Sequence, residues 1–68
     1  MTKGLDKRFT YHPTKPGQIG KYRDIRDKAK ELAHLIDRKC PDSREKSLAM
    51  TKLEEAVMWA NASIARNE

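Results

Sequence analysis

The spacing of apolar residues divides most of the chain into two helical stretches. In the first stretch, apolar side chains recur at alternating spacings of three and four residues, at Tyr22, Ile25, Ala29, Leu32 and Ile36. This period predicts an amphipathic α-helix over about residues 18–39. The second stretch has a similar period, contains neither Gly nor Pro and is rich in strong helix formers. It predicts a helix over about residues 43–66.

The second helix is expected to begin at a capping box. Asp42 is a favourable N-cap just after Pro41, and Glu45 can reach back to the backbone N–H of that cap. Cys40 and Pro41 form a short connection between the two helices. A connection this short requires the helices to run antiparallel, as a helical hairpin.

The second helix has two apolar faces. The face expected to pack on the first helix contains small side chains that allow close approach, and it comprises Ala49, Leu53, Ala56, Val57, Ala60 and Ile64. Leu48 and Trp59 point roughly 120° away from that face, at about 100° per residue. Since a two-helix hairpin cannot enclose a core, we expect Leu48 and Trp59 to lie in an oligomer interface. This is a commoner role for such a face than a ligand site.

Residues 1–17 are expected to form an extended or short-helical arm. The first 20 residues contain all three glycines and two of the three prolines, and they show no apolar period. Phe9, Tyr11 and His12 place three rings in a run of five residues that ends at Pro13. The rings either pack on the helices or stack on a planar ligand, and packing is the commoner role in a small protein.

The size of the chain favours assembly. Its 68 residues form one small domain, whose core alone supplies only about 3–5 kcal/mol. One Cys excludes an internal disulfide and, with two His, makes no zinc pattern, so oligomerisation is the remaining source of burial. The predicted fold is therefore all-α, an antiparallel two-helix hairpin over residues 18–68 with an N-terminal arm, assembled as a homo-oligomer.

The positive charge lies in the first half of the chain. Residues 1–30 contain nine Lys or Arg against three Asp, whereas residues 31–68 contain six Lys or Arg against seven Asp or Glu. An excess of this kind suits a phosphate-bearing or otherwise anionic partner. A solvated surface that gives solubility explains the charge equally well.

Three cations of the predicted first helix lie on one stripe. Arg23, Arg26 and Lys30 have helical spacing and lie about 110° from the apolar seam, using 100° per residue. Part of the positive charge could be neutralised by exposed pairs at i,i+4. The sequence offers two such pairs, Arg23 with Asp27 and Asp24 with Lys28.

No combination of residues predicts catalysis. The sequence contains no catalytic or phosphate-binding motif of recognised spacing. Cys40 lies at a helix C-terminus, where the dipole disfavours a thiolate, and His12 and His34 belong to different elements. We therefore expect a binding protein that is not an enzyme and has neither a cofactor nor a metal site. No signal peptide or membrane span is recognisable, and a lone Cys fits a reducing cytosol.

Three segments resemble a known family. Residues 40–67 read CPDSREKSLAMTKLEEAVMWANASIARN, residues 9–13 read FTYHP and residues 28–32 read KAKEL. Together they resemble the helical hairpin domain of phage anti-CBASS and Thoeris anti-defence proteins, which are cyclic-nucleotide sponges. Three positions depart from the family pattern, where Pro, Leu and Ala are expected: Thr14, Met50 and Ser63.

The resemblance implies a function and an assembly. The protein would bind a cyclic nucleotide second messenger of a bacterial defence system and sequester it without cleavage, in the cytoplasm of the infected host. Its ligands would be cyclic dinucleotides, cyclic trinucleotides or cyclic ADP-ribose isomers. The family forms homo-oligomers, typically hexamers, whose pockets lie between protomers and are closed by the N-terminal arm. Neither a membrane nor a specific DNA is expected as a partner.

The resemblance also implies roles for individual residues. Tyr11 would stack on a base, for which aromatic surfaces contribute about 1–3 kcal/mol each, and cations would hold the phosphates. Arg44 at a helix start is also placed to attract an anion, although a surface charge is the plainer interpretation. The candidate ligand-binding residues are Phe9, Tyr11, His12, Pro13, Arg26, Lys28, Lys30, Arg44, Lys46 and Arg66.

Two other functions remain open on the sequence. The first is a small basic oligomeric nucleic-acid-binding protein that uses the cationic stripe of the first helix. The second is an interaction module that binds only another protein. The first predicts binding with strong salt dependence, and the second predicts indifference to nucleotides.

Overall fold

Two antiparallel helices make up the part of the chain that the structure, a computed structural model, describes, which is residues 13–68. Helix α1 spans Gln18–Lys39 and helix α2 spans Arg44–Asn67, and these residues include no strand. The all-helical hairpin predicted from the apolar period is confirmed for this range. The first twelve residues of the predicted arm lie outside the described residues.

Contacts at both ends show that the helices run antiparallel. At the open end, where α1 begins and α2 ends, Lys21 Nζ lies 2.7 Å from the carboxylate of Glu68. At the turn end, where α1 ends and α2 begins, Lys46 Nζ lies 3.1 Å from the Asp37 carboxylate. The start of each helix therefore lies beside the end of the other, as a short connection requires.

Helix α2 is capped by Ser43, and the predicted capping box of Asp42 and Glu45 is wrong. Ser43 has an extended backbone, and its Oγ accepts a hydrogen bond from the backbone N–H of Lys46 at 3.1 Å. With this cap, Glu45 falls at the second helical position, one residue short of the place from which it could reach back. Ser and Asp are equally good N-caps, so two adjacent candidates competed and the helix begins one residue later than predicted.

The seam between the helices is only half-buried. No apolar side chain of the described residues is fully buried. Leu32, which the period placed in the seam, is 45% exposed, and Ala49 and Ala56 are exposed as well. The half-buried seam positions are Tyr22, Ile25, Ala29, Ala33 and Ile36 on α1, and Met50, Leu53, Val57, Ala60 and Ile64 on α2. Two helices touch along a narrow line, and the predicted stripes were wider than that line.

Large apolar side chains remain on the surface of the hairpin. Trp59 is 56% exposed and Leu48 is 46% exposed, and the hairpin of residues 13–68 is only one helix layer thick, with a shortest extent of 12 Å. A single layer cannot shield these side chains from water. An exposed apolar surface of this kind is typical of an interface. Within residues 13–68, neither helix has the length and apolar character needed to cross a membrane.

Candidate functional site

The predicted ligand-binding residues occupy three separate places. Phe9, Tyr11 and His12 lie outside the described residues. Pro13 precedes α1, and Arg66 lies in the last turn of α2 at the open end. The others lie along α1 or at the turn end: Arg26, Lys28 and Lys30, then Arg44 and Lys46. Because α1 has 22 residues, and is therefore about 33 Å long, one small ligand cannot contact both ends of a single hairpin.

The cations of α1 lie on two opposite sides of the hairpin. Lys30 borders a shallow groove with Met50 and Glu54. Lys28 borders the groove on the other side, with Leu32 and Ala60. Two positions apart on a helix is roughly 200°, so the two ammonium groups cannot converge on one phosphate within a chain. Arg26 shares the side of Lys30 by the same spacing, so these two are the candidate pair.

Ion pairing leaves the α1 cations available. Arg26 Nε lies 3.9 Å from Asp27, and Lys28 Nζ lies 3.3 Å from Glu31. Neither of the two pairs proposed at i,i+4, Arg23 with Asp27 and Asp24 with Lys28, forms among the described residues. Exposed pairs contribute little and are easily exchanged for another anion. Lys30 has no hydrogen-bond or ion-pair partner within residues 13–68.

Lys46 is the most constrained of the candidate cations. Its Nζ donates to Asp42 Oδ1 at 2.9 Å and to the Asp37 carbonyl oxygen at 3.1 Å, and it also lies 3.1 Å from Asp37 Oδ1. The Lys46 side chain is only 12% exposed. Hydrogen bonds with Asp42, and then with Asp37, raise the pKa of Lys46 above its ordinary value. Since an ammonium has three N–H donors, Lys46 would have to give up these partners to bind a phosphate.

Arg44 is less constrained than Lys46. It is the first residue of α2 and is exposed, with no hydrogen-bond or ion-pair partner in the described part of the chain. Free N–H groups of a first helical turn also favour an anion. The neighbouring carboxylates of Asp42 and Glu45 oppose that attraction. The role of Arg44 in ligand binding stays a prediction.

A type II turn precedes α1 at the open end. The backbone N–H of Gln18 donates to the carbonyl oxygen of Lys15 at 3.1 Å, with Pro16 and Gly17 at the two central positions. Gly17 has φ 88° and ψ −19°, the left-handed conformation that the second central position of this turn requires. The sequence contains the Pro-Gly signal for this turn, but its position within an apparently irregular arm concealed it.

Two polar side chains near the open end were missed by the sequence analysis. Gln18 is 3% exposed and is the one residue in the described range that is fully buried. Asn61 Oδ1 is buried and has no hydrogen-bond partner among residues 13–68. Buried polar atoms normally have a partner, so Asn61 retains an unused acceptor. A polar residue inside an apolar helical pattern was the available signal for Asn61, whereas Gln18 precedes the apolar period of α1 and gave no such signal.

The predicted interface residues lie on the side of α2 that faces away from α1. Leu48 and Trp59 are eleven residues apart, which is about three helical turns or 17 Å. Between them lie Lys52 and Glu55, whose charged groups are 3.6 Å apart and exposed. This side therefore combines apolar anchors with a charged pair, as interface surfaces often do. Its occupation by another protomer stays a prediction.

No metal site is present in the described part of the chain. Its His, Cys, Asp and Glu side chains form no group of three or more that could hold an ion. The clustered polar groups are instead the ammonium and carboxylates at the turn end and the amides at the open end. Such groups suit hydrogen bonding and charge neutralisation.

The chain matches a known protein family. The family model described as Acb2/Tad1, hairpin domain matches residues 1–65. The match therefore includes the N-terminal residues that carry the aromatic run, all of α1, and α2 as far as residue 65. Neither a search of curated proteins nor a search of solved structures found a match. The resemblance inferred from the three sequence segments is thereby confirmed.

Proposed function

The chain belongs to the Acb2/Tad1 hairpin domain family, the family of anti-CBASS and anti-Thoeris sponges, and from that premise we propose that it binds a cyclic nucleotide signal and sequesters it without cleaving it. The match over residues 1–65 is the observation that carries the proposal. The family implies anti-defence sequestration of cyclic nucleotides in general. For this chain, the proposed ligands are cyclic dinucleotides, cyclic trinucleotides or cyclic ADP-ribose isomers.

The proposed binding site lies between protomers. The separation of the candidate residues along one hairpin supports this, because groups at the two ends can meet only if they come from different chains. Tyr11 stacks on a base, and Arg26 and Lys30 of one face, with Arg66, supply charge to the phosphates. These cations are exposed and their pairing is weak or absent in the described residues. Arg44 is a secondary contributor.

The proposed assembly is a homo-oligomer, and specifically a hexamer. Two features support an oligomer: the described residues include no buried apolar side chain, and Trp59 is largely exposed. A single hairpin of this kind buries too little apolar area to be stable on its own. Burial of the face containing Leu48 and Trp59 by another protomer would supply the missing area.

The proposed mechanism is sequestration in the cytoplasm of the infected bacterial host. The protein lowers the free concentration of the signal by mass action and performs no chemical step on it. Such a mechanism requires only affinity and abundance. It needs neither a nucleophile nor a general base, and it therefore differs from that of an enzyme that degrades the same signal.

Ligand recovery tests this proposal directly. The purified protein is screened by thermal shift against cyclic di-AMP, cyclic GMP–AMP, a cyclic triadenylate and cyclic ADP-ribose isomers, since a ligand that binds only the native state raises the melting temperature. The best binder is then incubated with the protein, released by heat denaturation and identified by mass spectrometry. Intact ligand supports sequestration. A cleaved product would show that the protein is an enzyme, and a panel without any binder would reject the function.

A second candidate function is non-specific nucleic-acid binding. The observation that favours it is the concentration of nine Lys or Arg in residues 1–30, with an exposed stripe of Arg23, Arg26 and Lys30. Binding of this type weakens steeply as salt is raised. A mobility-shift titration with duplex DNA and with RNA at low salt decides the matter, because no shift at micromolar protein would remove this candidate.

A further inference from the structure

Gln18 connects two parts of the chain through its side-chain amide. Its Oε1 accepts a hydrogen bond from the backbone N–H of Lys15 at 2.9 Å, and its Nε2 lies 3.5 Å from the carbonyl oxygen of Ile64, to which it donates. Lys15 precedes α1, whereas Ile64 belongs to the last turns of α2. One buried side chain thus joins the segment before the hairpin to the far end of the second helix.

Further contacts hold Lys15 in the same place. Its carbonyl oxygen accepts the backbone bond of the type II turn at 3.1 Å, and its Nζ donates to the carbonyl oxygen of Glu68. Gly17 supplies the positive φ of 88° that the turn requires. Lys15 is therefore held through its amide, its carbonyl group and its side chain. The direction in which the chain enters α1 is fixed by these contacts.

The amide of Gln18 is not needed to start α1. The N-cap of α1 is Gly17, which makes no side-chain cap hydrogen bond. The Gln18 side chain turns back to Lys15 and across to α2 instead of capping its own helix. An apolar side chain at position 18 would pack without any polar group to satisfy. The polar contacts of Gln18 thus serve the segment before α1 more than they serve the helix.

We propose that Gln18 is a positioning residue that fixes the direction in which residues 13–17 lead into α1. The inference rests on the proposed function, in which Tyr11, which precedes these residues in the sequence, stacks on a base. If residues 13–17 sampled many directions, only a fraction of the molecules would be competent to bind. The apparent affinity would then fall by that fraction. Gln18 raises the competent fraction before any ligand arrives.

Gln18→Met separates positioning from folding. Met is unbranched, like Gln, but removes both hydrogen bonds. The Ile64 carbonyl oxygen keeps its bond from the backbone N–H of Glu68 at 3.2 Å, and exposed Lys15 can bond to water, so no buried group loses its last partner. We expect the helix content and the oligomeric state to be unchanged. The amide of Lys15 should exchange its hydrogen faster by NMR, while amides within both helices keep their rates.

The affinity of the variant supplies the second measurement. Isothermal titration of Gln18→Met with the best binder of the thermal-shift panel should give a dissociation constant about tenfold higher than that of the wild type. This is the change expected when the competent fraction falls to about one-tenth. Gly17→Ala perturbs the same turn through the backbone, because an added Cβ meets nothing within 4 Å but the positive φ is unfavourable for Ala. This variant should weaken binding in the same direction.

Lys21→Met is the matched control. It removes a 2.7 Å ion pair with Glu68 at the same end and leaves the Gln18 contacts in place. We expect neither faster exchange at Lys15 nor a tenfold loss of affinity.

Unchanged amide exchange at Lys15 in Gln18→Met would show that the Gln18 side chain does not hold Lys15 in place. Faster exchange with unchanged affinity would overturn the positioning role. If the wild type binds no member of the panel, the proposed function fails and the positioning role with it. The exchange data would still show whether Gln18 holds Lys15 in place.

Discussion

The two ends of the hairpin satisfy their polar groups in different ways. At the turn end, Lys46 holds Asp37 and Asp42, and Ser43 caps α2, so charged and polar groups are paired within one chain. At the open end, Lys21 pairs with Glu68, and the neutral amide of Gln18 joins Lys15 to Ile64. Arg66 has no partner in the described range there, and Asn61 Oδ1 is buried without one. Exposed Arg44 at the turn end also lacks a partner in the described range, so the difference is that only the open end keeps a buried acceptor, Asn61 Oδ1, without one.

This difference separates groups that build the hairpin from groups that remain available for binding. A cation whose donors are already occupied must break those bonds before it can bind a phosphate. A cation without partners loses only water. Residue type and net charge therefore overestimate Lys46 as a ligand contact. The open end, where the N-terminal segment joins the helices, is the better candidate.

The largest expected effect comes from removing the ring of Tyr11. Because stacking of a base on an aromatic side chain contributes about 1–3 kcal/mol, Tyr11→Ala should weaken binding of the best panel ligand by about 5–150-fold. Its oligomeric state by light scattering and its helix content by circular dichroism should match the wild type. Tyr11→Phe keeps the ring and serves as the control, with nearly normal affinity. Wild-type affinity in Tyr11→Ala would exclude Tyr11 as a stacking surface.

The second-largest effect is expected at Arg66, whose removal should weaken ligand binding more than removal of Arg44. A charge-assisted hydrogen bond contributes about 1.5–3 kcal/mol, so Arg66→Ala should weaken binding by about tenfold or more for at least one cyclic nucleotide. Arg44→Ala should have a smaller effect, because the carboxylates of Asp42 and Glu45 flank it. Titration of both variants with a cyclic dinucleotide and a cyclic trinucleotide checks this. Equal losses would mean that the turn end binds the ligand as well.

Local sequence rules predicted the hairpin because its determinants are local. The apolar period and the short connection at Cys40 and Pro41 are sufficient for two antiparallel helices. The position of the cap could not be decided, because Asp42 and Ser43 are adjacent and both suit it. Lys46, whose backbone N–H donates to the cap, also pairs with Asp37 across the turn. That contact is tertiary and leaves no periodic signal.

The candidate site was less predictable than the fold. Sequence analysis grouped Arg26, Lys28 and Lys30 as one set of ligand-binding cations, but Lys28 and Lys30 border grooves on opposite sides of the hairpin. Gln18 and Asn61 carried no charge and matched no motif, so neither was selected. Their significance lies in burial, which appears only when the two helices and the preceding turn are assembled. Residue type alone cannot indicate which polar groups are already satisfied.

A smaller effect is expected from the cap at the turn end. Loss of an N-cap hydroxyl costs about 1 kcal/mol, so Ser43→Ala should lower the melting temperature by about 4–8 °C without changing ligand affinity. Asp42→Ala is the matched variant at the adjacent position. It should cost less, because the Asp42 side chain is fully exposed and its pair with Lys46 is screened by water. A larger loss in Asp42→Ala than in Ser43→Ala would restore Asp42 as the cap.

The smallest expected effect comes from the ammonium group of Lys46, which pairs with both Asp37 and Asp42 at the turn end. Lys46→Met keeps the half-buried stem but removes the ammonium group, and it should lower the melting temperature modestly at neutral pH while leaving ligand affinity within error. Lys52→Met is the control, because its pair with Glu55 lies within one exposed helix face. That variant should melt like the wild type. Loss of ligand binding in Lys46→Met would show that Lys46 gives up its carboxylates for a phosphate.

The stabilisation that Lys46 provides depends on pH with a definite sign. Hydrogen bonds with Asp42 and Asp37 raise the pKa of Lys46 above the ordinary 10.5, so the folded state favours the protonated ammonium more than the unfolded state does. The stabilisation is therefore fully present below about pH 10.5 and is lost as the pH rises through the folded pKa. The difference in melting temperature between the wild type and Lys46→Met should be constant from pH 7 to 10 and shrink above that range. A difference that grew with alkaline pH would mean that the turn end is not held by the charge of Lys46.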